Sequence, residues 1–146
     1  MKVALGADHA GFALKEEVRR VLEAAGHAIH DFGTTSTDSV DYPDYAQVVG
    51  EAVRSGAAER GILICGTGIG MAIAANRLPG VRAASCSDTY SARMARAHND
   101  ANVLAFGARV VGSGLALELV RVFLETAFEG GRHERRVRKM DARTGA

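Results

Sequence analysis

Gly61-Ile62-Leu63-Ile64-Cys65-Gly66-Thr67-Gly68-Ile69-Gly70 runs from an unbroken apolar stretch straight into a glycine-rich turn. A short apolar run without polar alternation suits a strand buried on both faces, and such strands belong to parallel sheets covered by helices. The turn predicts a helix that ends near Leu78-Pro79-Gly80. Working outward, short apolar runs keep alternating with longer helical patterns, the mark of repeated βα units. Strands are expected over residues 2–6, 28–32, 61–65, 81–85 and 102–106. Between the first two, Leu14, Val18, Val21, Leu22 and Ala25 recur at helical spacing, with Gly26 placed to end the helix. Pro43 suits the first turn of a second helix whose apolar face is Tyr45, Val48, Val49, Ala52 and Val53. A helix over 88–97 follows the fourth strand. Ser113 is placed to cap a last long helix with face Ala116, Leu119, Val120, Phe123, Leu124 and Ala127. Gly130-Gly131 ends it, and a basic tail follows. Residues 1–146 are therefore expected to form a single α/β domain. It is a three-layer α/β/α sandwich on a five-stranded parallel, Rossmann-like sheet, with a basic C-terminal helical tail.

Composition narrows the function classes. The chain has 146 residues, 47% hydrophobic and 24% charged, enough to bury a core without disulfide or metal staples. A formal net charge of +1 argues against an electrostatically driven nucleic-acid or membrane surface. Two cysteines, Cys65 and Cys86, do not make a disulfide framework, and no CxxC or paired-histidine spacing suggests zinc. No apolar stretch approaches the ~20 residues of a membrane span, and Lys2 and Asp8 come too early for a signal-peptide core. A cytoplasmic protein without cofactor or metal is expected.

In an open α/β sheet, ligands sit beyond the carboxyl ends of the strands. Asp8-His9 follows the first strand, Cys65 and its glycines the third, and Gly107-Ala108-Arg109 the fifth. Gly66, Gly68 and Gly70 let the backbone approach a ligand closely, and the free N–H groups of a helix start attract an anion. The same positive end favours a thiolate at Cys65. A thiolate beside N–H donors can take a proton from a carbon next to a carbonyl, and the donors can hold the enediolate oxygen. Standing alone, such a cysteine would read as a core residue before a tight turn. Two other readings are tested by spacing. A phosphotyrosine-phosphatase loop needs Arg six residues after Cys65, where Met71 stands. A dinucleotide fingerprint needs GxGxxG, whereas residues 66–70 read GxGxG.

Asp8 can hold a sugar hydroxyl, and His9 can bind phosphate or move protons. His98-Asn99-Asp100 precedes the fifth strand, at the wrong end of it for the same crevice, so a helix end or a neighbouring subunit must bring it in. Arg132 and Arg136, four apart, would share one helical face as a phosphate clamp. Arg109 could serve the same end. Each of these has a blander alternative: a capping Asp, a turn, a charged tail. His27, His30 and His133 are read as incidental, Cys86 as core, and Arg135, Arg138 and Lys139 as solvated.

Taken together, several motifs resemble one family in the right order along nearly the whole chain. They are Gly6-Ala7-Asp8-His9-Ala10-Gly11, Asp41-Tyr42-Pro43, residues 61–76, His98-Asn99-Asp100-Ala101-Asn102-Val103-Leu104, Gly107-Ala108-Arg109-Val110-Val111-Gly112 and Glu129-Gly130-Gly131-Arg132-His133. The chain is similar to the ribose-5-phosphate isomerase B family, which also holds galactose-6-phosphate and allose-6-phosphate isomerases. The resemblance implies a metal-independent aldose–ketose isomerase interconverting ribose 5-phosphate and ribulose 5-phosphate through a cis-enediolate. Cys65 matches the base that moves the proton between C2 and C1; some members use instead a Glu where this chain has Met71. The backbone of Gly66, Thr67, Gly68, Ile69 and Gly70 matches the anion hole, with the Thr67 hydroxyl added. His98 matches the acid/base that opens the furanose ring, assisted by Asp8. His9, Arg132 and Arg136 match phosphate-binding groups, Arg109 is a further candidate, and Asn99 matches a hydroxyl contact. The resemblance further implies a homodimer, or a dimer of dimers, with each site shared between subunits. A six-carbon substrate, or a non-catalytic phospho-ligand module on the same sheet, are the alternatives.

Overall fold

The computed structural model of the chain describes residues 1–145. Its strands are β1 (Lys2–Ala7), β2 (Ala28–Asp31), β3 (Arg60–Cys65), β4 (Ala83–Ser85) and β5 (Val103–Gly107). They form one all-parallel sheet in the order β2-β1-β3-β5-β4. The helices are α1 (Phe12–Ala24), α2 (Tyr42–Arg54), α3 (Ile69–Ala75), α4 (Thr89–Ala97), α5 (Ser113–Glu125) and α6 (Arg132–Asp141). No helix among the described residues is long and apolar enough to cross a membrane.

The unbroken apolar run of β3 lies at the centre, paired with β1 on one side and β5 on the other. Both its faces are covered. Leu14, Val18 and Leu22 of α1, Ala92 and Ala95 of α4 and Leu119 and Phe123 of α5 pack with Ile62 and Ile64. Ala46 and Val49 of α2 and Met71 and Ala75 of α3 pack with Leu63 and Cys65 on the other side. From β1 the chain moves outward to β2 and then returns to place β3 on the opposite flank. The reversal opens a crevice at the carboxyl ends of β1 and β3. There the Asp8 N–H donates to the Ile64 carbonyl at 3.2 Å, so the residues after the two strands lie side by side.

Several boundaries differ from the expectation, each through a side-chain hydrogen bond. The helix expected to reach Leu78 ends at Ala75, because the Asn76 amide takes both backbone groups of Ala83 (2.9 and 2.7 Å). Strand β4 starts two residues late, because Asn102 binds the Arg82 N–H and the Gly80 carbonyl. Ser113 does not cap α5. Gly112 occupies that position, and the Ser113 hydroxyl donates instead to Glu17 Oε2 at 2.9 Å. Thr126 closes α5 by returning its hydroxyl to the Val122 carbonyl, which leaves Ala127 outside the helix and exposed. Val21 and Val48, expected on buried faces, are 44% and 41% exposed, so α1 and α2 are rotated slightly from the predicted orientation. In α1 the position next to Leu14 holds Lys15, which is fully buried and bridges to Glu16 Oε1 at 2.8 Å and to Asp31 Oδ2 of β2 at 2.6 Å.

Candidate active site

At the carboxyl edge of the sheet, Cys65 closes β3 and is 5% exposed. Its Sγ accepts the Gly68 N–H at 3.1 Å. Gly68 has φ +82°, and a Cβ there would lie 2.7 Å from Phe106 Cα, so only glycine lets the chain turn so tightly from β3 into α3. The Ile69 N–H donates to Thr67 Oγ1 at 3.2 Å. The N–H groups of Gly66, Thr67 and Gly70 have no acceptor among the described residues and remain free to bind an oxyanion. Met71 is fully buried in the core behind the loop.

Asp8 is buried at the start of the turn into α1, where its Oδ1 accepts the N–H groups of Ala10 and Gly11. Its Oδ2 has no donor among the described residues. The half-buried His9 accepts the Val40 N–H at Nδ1, 3.2 Å away, which leaves Nε2 of the neutral ring as the donor. Arg109 is exposed after β5, with its N–H on the Gly66 carbonyl at 3.1 Å and its side chain alongside Gly66. Tyr42, quoted only as part of a motif in the sequence, lays its ring over Gly70; a Cβ there would sit 2.6 Å from the ring carbons. A thiol, a carboxylate, a histidine, an arginine and free N–H donors thus gather at one edge.

The remaining candidates form a second group at the amino edge. His98 caps the end of α4, before β5 begins, and Asn99 is exposed beside it. Asn99 lines a cavity of about 340 Å³ with Arg82, Met140 and Asp141. The turn that carries both residues is held by Arg96, 2% exposed, whose guanidinium reaches Asp100 Oδ1 at 2.8 Å and the Ala101 carbonyl at 2.6 Å. The Glu129 N–H donates to the Ala97 carbonyl at 3.0 Å and ties the start of α6 to the same place. Arg132 and Arg136 are exposed on successive turns of α6, and neither has a carboxylate within 4 Å among the described residues.

His133, read from sequence as incidental, belongs to this group. It is 7% exposed and its ring stacks on His98, with centroids 4.1 Å apart and planes 9° apart. Glu129 Oε2 lies 3.7 Å from His98 Nε2 and 3.5 Å from His133 Nε2. Burial holds the His133 imidazole below the usual histidine range, reinforced by His98 and Arg132 and opposed by Glu129. No local sequence pattern marks this contact. These three side chains are the one cluster among the described residues with donor atoms close enough for a metal ion, within 4.8 Å of one another. Parallel rings cannot both aim an in-plane lone pair at an ion about 2.1 Å from each nitrogen without unstacking.

The two groups do not meet within one chain. Gly61 pairs with Val103 at the amino edge and Cys65 with Gly107 at the carboxyl edge, four residues or roughly 13 Å along the strands. His98 lies beyond the first pair and Cys65 at the last.

Comparison with known proteins gives this arrangement a relationship. Residues 3–140 match the family described as Ribose/Galactose Isomerase. The chain is 51% identical over 141 residues to ribose-5-phosphate isomerase B of Escherichia coli, covering 97% of this chain and 95% of the relative. It is 44% identical over 141 residues to the D-erythrulose-4-phosphate isomerase of Pectobacterium atrosepticum, covering 96% and 93%. The structure of Clostridium thermocellum ribose-5-phosphate isomerase B superposes with a TM-score of 0.98 at 52% identity, over 99% of this chain and 98% of that one. The protein is an isomerase, and the chain belongs to the ribose/galactose isomerase family.

Proposed function

We propose that this isomerase interconverts ribose 5-phosphate and ribulose 5-phosphate in a site built between two copies of the chain. The carboxyl edge of one copy faces the amino edge of the other. The observation that carries the reading is the division of the site residues. One edge has a thiol and free N–H donors but a single arginine; the other has a half-buried histidine and two arginines that have no carboxylate partner among the described residues. A two-fold axis joins such complementary edges twice over.

His9 and Arg109 of one copy, with Arg132 and Arg136 of the other, hold the phosphate and place the reacting carbons over Cys65. His98 gives a proton to the furanose ring oxygen while Asp8 takes the O1 hydroxyl proton; the C1–O4 bond breaks and the C1 aldehyde forms. The Cys65 thiolate removes the C2 proton. The C2–H pair becomes the C1=C2 bond, and the carbonyl pair moves to O1, where the N–H groups of Gly66, Thr67 and Gly70 and the Thr67 hydroxyl hold the charge. A proton passes from O2 to O1, the Cys65 thiol returns its proton to C1, and C2=O2 completes the ketose. Asn99 contacts a sugar hydroxyl. No metal enters these steps.

Turnover of ribose 5-phosphate, unchanged by a chelator, tests the reaction. Coexpression of Cys65→Ala with His98→Asn tests the shared site. Each variant alone is inactive, and the mixed population recovers about a quarter of wild-type activity, because half the dimers are mixed and each has one intact site. No recovery would mean that each chain supplies its own complete site. A four- or six-carbon sugar phosphate is the second reading, supported by the name of the Pectobacterium relative and the breadth of the family. Relative kcat/KM on D-erythrulose 4-phosphate and allose 6-phosphate decides between them.

A further inference from the structure

We propose that His133 and Glu129 are positioning residues for His98, holding its ring in a stacked, carboxylate-bridged arrangement so that His98 alone exchanges a proton with the sugar. The inference rests on the reading of His98 as the ring-opening acid/base. Three features of the chain build the arrangement. The Glu129 N–H closes on the last carbonyl of α4, which places the Glu129 side chain beside His98. Gly130 and Gly131 take φ +67° and +55°, a conformation suited to glycine, and turn α6 back so that its second residue meets His98. The His133 ring is then buried under the His98 ring, while the His98 side chain keeps 37% of its surface open to solvent or a partner. A ring at the end of a helix would otherwise rotate freely about its side-chain bonds. The stack fixes its plane, and Glu129 Oε2, within 3.7 Å of both Nε2 atoms, offers one carboxylate to the pair.

The surrounding charges divide the labour between the two rings. Burial above all opposes a positive charge on His133, followed by His98 and by Arg132 and Arg136 on α6, and Glu129 supports one. On the α4 side Asp100 is already engaged by Arg96 and Arg82. Burial and the neighbouring His98 disfavour a positive charge on the His133 ring 4.1 Å away. The His98 ring is the one that reaches the surface, and the buried His133 ring is its platform.

Ring opening can be separated from enolisation by the choice of starting substrate. Ribose 5-phosphate enters as a closed furanose. Ribulose 5-phosphate has its 5-oxygen esterified, cannot close a five-membered ring through it, and enters open. The test compares Glu129→Gln, His133→Ala and His133→Phe with wild type in both directions. From ribose 5-phosphate, Glu129→Gln and His133→Ala are expected to lower kcat about tenfold with KM within about twofold, a fraction of a general acid's full contribution. The primary isotope effect with [2-²H]ribose 5-phosphate should shrink toward one as ring opening becomes the slow step. Initial rates from ribulose 5-phosphate should stay within about twofold, and His133→Phe, which keeps the stack, should retain most of the forward kcat. Equal losses in both directions, an unchanged kcat, or a change confined to KM would overturn the proposal; the last would move these residues to phosphate binding. His98→Asn separates the two levels. If it leaves the rate from ribose 5-phosphate unchanged, the role of His98 itself fails. If it lowers that rate while Glu129→Gln and His133→Phe behave as wild type and His133→Ala loses rate equally in both directions, only the positioning role fails.

Discussion

At the scale of single residues, the two cysteines separate by surroundings rather than by burial, since both are nearly inaccessible. Cys65 Sγ accepts an N–H at the mouth of the loop, whereas Cys86 lies in the core between β4 and α4 with its thiol pushed up to about 11 by burial and by Asp88. Cys65→Ala is expected to lower kcat on ribose 5-phosphate on the order of 10²-fold or more while leaving the circular-dichroism spectrum and melting curve as in wild type. Cys86→Ala should keep near-wild-type kcat, and the native Cys86 should resist iodoacetamide at neutral pH, where it stays protonated. Faster alkylation of Cys86 than of Cys65, read by peptide mass, would contradict this assignment. Gly68→Ala places a Cβ at positive φ and 2.7 Å from Phe106. A loss of about 2 kcal/mol or more in urea stability is expected, together with loss of activity, because the loop must shift to relieve the contact.

Between elements, ion pairs do work that the apolar pattern does not reveal. Lys15 interrupts the buried face of α1, yet it stitches that helix to the edge strand β2 through Asp31, with Glu16 of the same helix as its second partner. Hydrogen bonds from Arg19 and Lys15 lower Glu16 from its usual 4.5 to about 2. A depressed carboxylate stabilises the fold above its unfolded value, and that contribution is lost as pH falls from about 4.5 through about 2. Glu16→Gln is therefore expected to cost most stability at neutral pH and to flatten the acid arm over that window, the two urea midpoints converging as pH falls toward about 2. An unchanged acid arm would assign the loss to other carboxylates. The same logic explains the boundaries that differed from expectation. Asn76 and Thr126 end their helices, and Asn102 delays the start of β4, with side-chain hydrogen bonds to backbone groups, and hydrophobic spacing carries no trace of them.

At the scale of the whole molecule, the decisive fact is that the shared direction of the parallel strands puts the candidate groups at opposite ends of one sheet. Arg136 lies far from Cys65 in its own chain, so under the shared-site reading its role is confined to binding. Arg136→Ala is expected to raise KM for ribose 5-phosphate on the order of tenfold, the loss of one charge-assisted contact, with little change in kcat. An unchanged KM would place the phosphate elsewhere. Much of this was legible beforehand: His98 stands before its strand and Cys65 after its own, so a parallel sheet had to separate them. The stack of His98 on His133 was not legible, since nothing at either position distinguishes it from a turn and a charged tail.

The sequence alone determined the parallel α/β sandwich, the glycine turn after its central strand, the thiol at its mouth and the resemblance to sugar-phosphate isomerases. Those features are written in windows of five to fifteen residues, through periodicity and through positions that only glycine can occupy. Tertiary structure alone decided the insertion of β5 between β3 and β4, the burial of Lys15 against Asp31 and the meeting of His98, Glu129 and His133. Each joins residues distant in the chain, and such contacts arise from the packing of whole helices on the sheet, which no local pattern encodes.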